Sequence, residues 1–317
     1  MPLPNDQRVV ALANDLLQVF DKIFGLHPGY RAAHAKGLML TGTFTPSTQA
    51  RSLTNAAHAV RPSTPVTVRF SNSTGLPMLP DNVPDANPRG MAIRFNLGEH
   101  VHTDIVTHST DGFPARDGNE FLEFLKAAAA SGPDVPSPKP IEVFLGAHPA
   151  ALAFVQTPKP QPVSLAKDAF FSVSAFQFKN AAGKISFGRY RIVPEGGTEF
   201  YKDEDAAALS PTYLFDELTG RVKSGPIRMK ILVQLAAEGD PTDDATVHWP
   251  EDRPLLEFGT LELTSLVADN PTEQKRIIFD PIPRTEGIEP TADPLFELRA
   301  AIYLLSGRRR RAATTQE

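Results

Sequence analysis

A chain of 317 residues with 41 % hydrophobic and 22 % charged residues has the balance of a folded protein of one large domain or two, which excludes general disorder. Its net charge of −5 at pH 7 gives no basic surface field for nucleic acid. With no cysteine, disulfides, thiolate metal sites, iron–sulfur clusters and cysteine nucleophiles are excluded, and any metal must be held by nitrogen or oxygen.

The first predicted element lies in DQRVVALANDLLQVFDKIFGLHPGY, within residues 1–28 for the helix itself. Apolar residues recur there at helical spacing, but Asp15, Asp21 and Lys22 interrupt them, which is wrong for a secretory leader. It reads as a surface helix of a cytoplasmic protein, and no apolar run approaches the ~20 residues of a membrane span. GLMLTGTFTP, TPVTVRFSNSTG and RGMAIRFNLGEHVHTDIVTH then alternate apolar and polar positions between turn signals, the pattern of strands. NEFLEFLKAAAA, 119–130, has helical spacing and strong helix formers, and SGPDVPSPKP ends it. FFSVSAFQFKNAAGKISFGRYRIVP reads as two strands around the turn NAAGK. LSPTYLFDELTGRVKSG reads as a helix started by Ser210 and Pro211, and IRMKILVQLAA and LLEFGTLELTSL as further strands. No repeat, low-complexity tract or long linker divides the chain. The expectation is one α+β domain over 1–317: an antiparallel β-barrel with external and terminal helices and a tail at 312–317.

Five groups of residues could carry chemistry. Arg299 and Tyr303 are four apart, one helical turn on one face. A phenolate at neutral pH costs roughly 4 kcal/mol against a reference pKa of about 10, which a guanidinium lowers in part and a bound ferric ion further. In RAAHAKG, His34 has small neighbours that leave room for a flat ligand, and Arg31 could meet an anion at its edge. In VRFSNSTG, Arg69 and Ser71 share one strand face. An inward arginine there needs a carboxylate, and a serine could orient an imidazole. In HSTDGFPARDGNEF, Phe113 and Phe121 could line a planar cofactor beside His108. His100 and His102 form a weak H-x-H pair. Each has an ordinary alternative: a packed tyrosine with a surface arginine, a satisfied histidine, an exposed edge strand, core phenylalanines.

Order and wording go further than single signals. The segments RAAHAKG (31–37), VRFS (68–71), NPRGMAIRF (87–95), DIV (104–106), RD (116–117) before FLEF (121–124), SVSAFQFKNAAGK (172–184), GIEP (287–290) and RAAIY (299–303) together resemble the haem catalase family, specifically its small catalase-related peroxidase branch. The resemblance covers residues 30 to 310 and implies a catalase-like barrel binding haem b. It implies His34 as the distal general acid–base, Ser71 as the residue that fixes its ring, and Tyr303 as the tyrosinate ligand of ferric iron, stabilised by Arg299. It implies Arg31, Arg69 and Arg310 as partners of the haem propionates, and Phe113 and Phe121 as walls of the pocket.

Three departures shape the expected function. His108, in THSTDGF, stands where the family has its distal asparagine, which puts efficient dismutation in doubt. Asn87 stands where the access channel has an acidic residue, with Asp85 near it. QTPKPQPVSLAKDA is short for a reduced-nicotinamide site, so no bound NADPH is expected. The expected activity is a haem peroxidase using hydrogen peroxide or organic peroxides and small organic donors, with weak catalase activity, in a cytoplasmic homodimer without nucleic-acid or membrane partners. The alternatives are a full catalase, a fatty-acid hydroperoxide dehydratase of the allene oxide synthase type, and a non-enzymatic carrier of haem or an apolar ligand. Of the four arginines at 308–311, only Arg310 is assigned a partner; the other three are expected as solvated charge.

Overall fold

The computed structural model describes residues 2–313. The described residues form ten strands, the longer ones with apolar residues at alternate positions: β1 (Gly37–Pro46), β2 (Thr64–Ser71), β3 (Gly90–Gly98), β4 (Val101–His108), β5 (Phe170–Phe171), β6 (Phe176–Lys179), β7 (Ile185–Pro194), β8 (Ile227–Leu235), β9 (Leu255–Leu266) and β10 (Ile288–Pro290). All pair antiparallel. The order β7-β5-β4-β3-β2-β1-β9-β8 closes through a β7–β8 pairing into an eight-stranded barrel, with β6 and β10 continuing the sheet beside β7. Closure leaves no barrel edge unpaired.

The barrel interior is a packed core. Val66, Val68 and Phe70 of β2, Met91, Ile93 and Phe95 of β3, and Phe44, Phe170, Tyr190 and Phe258 fill it. Arg69 and Ser71 alternate with that set, so they point out of the barrel. This corrects the expected inward arginine. Both faces of β2 are covered, the inner by the core and the outer by His34, Ala35 and Gln274, so Arg69 and Ser71 are buried without entering the barrel.

The outer cover is helical. The N-terminal helix, Gln7–Phe24, starts at Asp6, whose side chain accepts from the Arg8 N–H, and stops at Gly25, φ +80°. The C-terminal helix, Leu295–Ala312, packs along it, and Arg309 on one pairs with Asp21 on the other at 2.7 Å. Arg309 is therefore a tie between helices, where solvated charge was expected. Arg311 donates to the Arg276 carbonyl at 2.7 Å, and Arg308 stays exposed. Residues 314–317 of the expected tail lie outside the described residues, and the helix itself runs to Ala312.

Other expectations shift in detail. Helix Gly118–Ala129 matches 119–130, capped by Asp117. The hairpin around Asn180–Lys184 joins β6 to β7, while Phe170 and Phe171 form the separate β5 against β4 and β7. Helix Tyr213–Ser224 begins after Ser210 and Pro211, at Thr212. Among the described residues no helix is long and apolar enough to cross a membrane.

Candidate functional site

The site is built on the outer face of three adjacent strands. Register aligns Ser71 with Gly90 and Gly90 with His108 in one row across β2, β3 and β4; Arg69, Ala92 and Val106 form the next row. Neighbouring strands are about 4.8 Å apart, so Ser71 and His108 stand roughly 10 Å apart with a side-chain-free slot at Gly90 between them. His34 occupies that slot. Its Nδ1 lies 3.1 Å from the Ser71 Oγ, and a Cβ built on Gly90 would come 2.6 Å from that oxygen and 2.9 Å from the same nitrogen.

The loop carrying His34 leads into β1 and is held by Ala35 N–H donating to the Thr74 carbonyl and Asn72 N–H donating to the Lys36 carbonyl. His34 itself takes φ +55°, a conformation costing of order 1–3 kcal/mol for a residue with a side chain and concentrated at functional sites. Burial first, then the Arg69 guanidinium, pushes its pKa down to about 4, so the imidazole is neutral at pH 7.

A cavity opens in front of this row, with about 1000 Å³ of empty space, its mouth included, the upper range for cofactor and small-molecule sites. The C-terminal helix forms the facing wall through Arg299, Ile302, Tyr303, Ser306 and Arg310, positions that share one helical face. Arg299 Nε donates to the Tyr303 hydroxyl at 3.3 Å, and its guanidinium sits 5.8 Å from the ring centre. The helix can lie this close to the segment after Arg276 because Gly307 packs on Ile278, where a Cβ would fall 2.3 Å from the isoleucine.

Three arginines converge at the cavity: Arg31, Arg69 and Arg310. Among the described residues none pairs with a carboxylate. Arg69 donates to the Gln274 side chain at 2.9 Å and the His34 carbonyl at 2.9 Å; Arg31 to the Gln274 and Ile277 carbonyls; Arg310 to the Lys275 and Ile277 carbonyls. Burial, then the charges of Arg69 and Arg310, lowers the Arg31 pKa well below its ordinary value; burial first and Arg310 second lower that of Arg69 to about 9. Neutral acceptors do not balance three guanidiniums, so this cluster is arranged for an anion.

Gln274 was not a candidate from sequence. It sits on a short helix, Asn270–Arg276, whose start signal is legible: Asp269 accepts from the Thr272 N–H and Pro271 follows. Phe20 of the N-terminal helix, read as a surface element, also lines the cavity. Phe113 lines it, whereas Phe121 packs one layer behind, 5.0 Å from Phe113 and 6.4 Å from Phe20 between ring centres. Asn87 donates to the Lys159 carbonyl at 3.1 Å and accepts from Arg89. His100 and His102 do not form a chelating pair, because His100 lies exposed in the β3–β4 turn at φ +59°. Asp111, His248 and Glu251 cluster elsewhere, but Arg191 pairs with Asp111 at 2.7 Å and supplies the cation there.

Closing the Gly90 slot should break the row without unfolding the barrel. Gly90→Ala is expected to lower any turnover that uses the His34 imidazole by about 10²-fold, the scale for displacing a reacting group by roughly 1 Å, while the unfolding midpoint changes little. Stopped-flow turnover and a thermal scan of the variant check this.

The barrel is that of the catalases. A fungal catalase structure superposes with TM-score 0.78 at 22 % identity over 89 % of this chain and 59 % of that one. A bacterial catalase gives 0.76 at 23 % identity over 98 % and 62 %. The chain belongs to the catalase family, whose model, described as Catalase, matches residues 27–317. Among its relatives is the catalase-related peroxidase of Mycolicibacterium paratuberculosis, 32 % identical over 89 % of each chain. That of Synechococcus elongatus is 30 % identical over 92 % of this chain and 87 % of its own. The chain spans about half, 54 %, of the catalase of Cavia porcellus, at 27 % identity.

Proposed function

We propose that the chain is a haem peroxidase that reduces hydrogen peroxide or organic peroxides while oxidising small organic donors, with weak catalase activity. Family membership and near full-length similarity to two catalase-related peroxidases support this reading. The observation that carries it is the cavity itself: a histidine–serine pair on one wall, an arginine–tyrosine pair on the other, and three arginines without a carboxylate at its rim. That donor set fits haem b, whose two carboxylates answer the unpaired guanidiniums.

Haem, when bound, would supply redox-active iron for the reduction of peroxide. Tyr303 would hold it through its phenol oxygen, and Arg299, whose Nε donates to that oxygen, would stabilise the negative charge there. Arg31, Arg69 and Arg310 would pair with its propionates, and Phe113 would wall the pocket. His34 acts as general base, then general acid: its Nε2 takes a proton from one peroxide oxygen and returns it to the leaving oxygen, while Ser71 at Nδ1 fixes the ring. No NADPH site is part of this reading, because the 156–169 segment is short for one.

The test is turnover by haem-loaded protein given peroxide with and without a reducing dye. Dye oxidation should dominate oxygen evolution; oxygen release at full catalase rates with the dye untouched would overturn the ranking. A second expected result is the pH profile. Protonated His34 cannot accept the substrate proton, and its pKa lies near 4. The acid limb of kcat/KM therefore falls below about pH 4, tenfold per unit, where an ordinary histidine with pKa about 6.5 would already fail.

A further inference from the structure

A second cavity, with about 1660 Å³ of empty space, its mouth included, meets the first at Arg31, which lines both. The loop that carries Arg31, the start of β1 and the helix Asn270–Arg276 supply most of its walls. Pro77 and Pro271 make rigid apolar sides, and Tyr30, 51 % exposed, offers an aromatic face. Haem placed against Tyr303 and the arginines uses the first cavity and leaves this one without a role.

The charge around the second cavity is one-sided. Arg31, Lys36 and Lys275 line it, and among its described lining residues none is acidic. Asp81 neutralises Lys36 at 2.6 Å. Lys275 donates to the Ala313 carbonyl at 2.6 Å, while Glu273, the one acid of its helix, pairs with Arg276 at 3.6 Å. Haem brings two carboxylates to the three guanidiniums of Arg31, Arg69 and Arg310, so one positive charge stays unanswered, and Lys275 adds another. An anion lodged between Arg31 and Lys275 balances that surplus. Arg31 gives one N–H of each terminal nitrogen to a backbone carbonyl, which leaves N–H groups for a further acceptor. A planar carboxylate matches the guanidinium fork, and a ring attached to it meets Tyr30 and the prolines.

We infer that the second cavity is the electron-donor subsite and takes small aromatic carboxylates that carry a phenol, with the acid group at Arg31 and Lys275 and the ring at Tyr30. The inference rests on the peroxidase reading above and gives its donor a chemical class. Two phenols each lose one electron and the O–H proton and leave as phenoxyl radicals. The organic hydroperoxide accepts both electrons and both protons, its O–O bond breaks, and it leaves as an alcohol and water. Because Arg31 stands between the two cavities, the donor stays out of the His34 slot and binds together with the peroxide.

The test titrates the haem-loaded full chain, without peroxide, with 4-hydroxybenzoate and with its neutral methyl ester, followed by calorimetry and absorption. The acid is expected to bind about tenfold more tightly than the ester, the scale of one or two partly exposed charge contacts, and to leave the absorption spectrum unchanged. That preference should fall to about threefold in Lys275→Gln and vanish in Lys275→Glu. Tyr30→Leu should weaken acid and ester alike, by about threefold, through the ring contact. In turnover, Lys275→Glu should raise KM for 4-hydroxybenzoate about tenfold and leave KM for tert-butyl hydroperoxide within about twofold. Equal binding of acid and ester, a Lys275→Glu protein that keeps the parent's preference, or competition between the acid and the peroxide overturns the subsite. Glutamate in the last turn of a helix works against its dipole, so Lys275→Gln carries the same test without that strain, and thermal scans of both variants should match the parent. A parent that binds the acid but ignores peroxide defeats the peroxidase reading and keeps the carboxylate site. A parent that consumes peroxide without binding the acid defeats the subsite alone.

Discussion

A Tyr303→Phe protein, loaded with the haem proposed above, is expected to fold like the parent, to change its ferric absorption spectrum and to lose nearly all peroxide turnover. Phenylalanine keeps the ring between Arg299 and the cavity, and only the 3.3 Å bond from Arg299 Nε to the hydroxyl disappears. The stability change should therefore stay within about 1 kcal/mol. Function responds differently, because on the proposed reading the hydroxyl oxygen is the protein's ligand to iron. Loss of a residue that supports a ligand costs roughly 10–100-fold, so loss of the ligand itself should exceed that. Arg299→Leu belongs to the smaller class: it strips the hydrogen bond and the charge but leaves the oxygen. Absorption spectra of the two variants, beside dye-oxidation rates, separate the roles. A Tyr303→Phe protein with the parent's spectrum and activity would move the proximal ligand elsewhere and dissolve the proposed site.

The strands were legible because their periodicity is a direct consequence of burial. GLMLTGTFTP and LLEFGTLELTSL became β1 and β9 nearly residue for residue. Which face of a strand meets the core was not legible at β2. There Val68, Arg69, Phe70 and Ser71 are all buried, since the barrel core covers one side and the His34–Ala35 segment with Gln274 the other. Local pattern cannot rank two covered faces, and neither an inward arginine nor an exposed edge describes Arg69, which is buried on the outer face. The helices Pro140–Ala147 and Pro149–Gln156 were missed because eight residues give too few turns for a helical period to stand out beside so many prolines.

For the site, the words were readable and the partnerships were not. RAAHAKG, VRFS and RAAIY name His34, Ser71, Arg299 and Tyr303, and within RAAIY the helical spacing alone brings two of them together. Gln274 meets Arg69 across 205 positions, a contact fixed by where the 270–276 helix docks and carried by no local pattern. Gly90 is similar: in NPRGMAIRF it could be any turn glycine, and only the register with Ser71 and His108 shows that its missing side chain makes room for an imidazole. Arg309 misled for the opposite reason, as a charge run gives no hint that one member reaches Asp21 on another helix.

Asp81→Ala is expected to be the most destabilising single substitution outside the barrel core, by about 3–5 kcal/mol, the cost of breaking a buried ion pair from one side. Asp81 is fully buried, and its two oxygens serve three donors: Lys36 Nζ at 2.6 Å, the Asn72 side chain at 2.7 Å and the Leu214 N–H at 3.0 Å. The last is an otherwise free donor in the first turn of helix Tyr213–Ser224, where a carboxylate also favours the helix dipole. Alanine strands all three, although Lys36 keeps the Leu79 carbonyl at 2.9 Å. Asp81→Asn retains an acceptor and should cost less, which denaturant midpoints of the two variants will show. The effect reaches the site because Lys36 and Asn72 flank His34 and Ser71 in sequence, and the Asn72 N–H bonds the Lys36 carbonyl. With Asp81 gone those two segments lose their shared anchor, and the 3.1 Å contact between His34 and Ser71 depends on both. Turnover in the fraction that stays folded should therefore drop as well, more for Asp81→Ala than for Asp81→Asn. A variant that loses stability but keeps the parent's kcat/KM would show that the His34–Ser71 pair is held by the β-row alone.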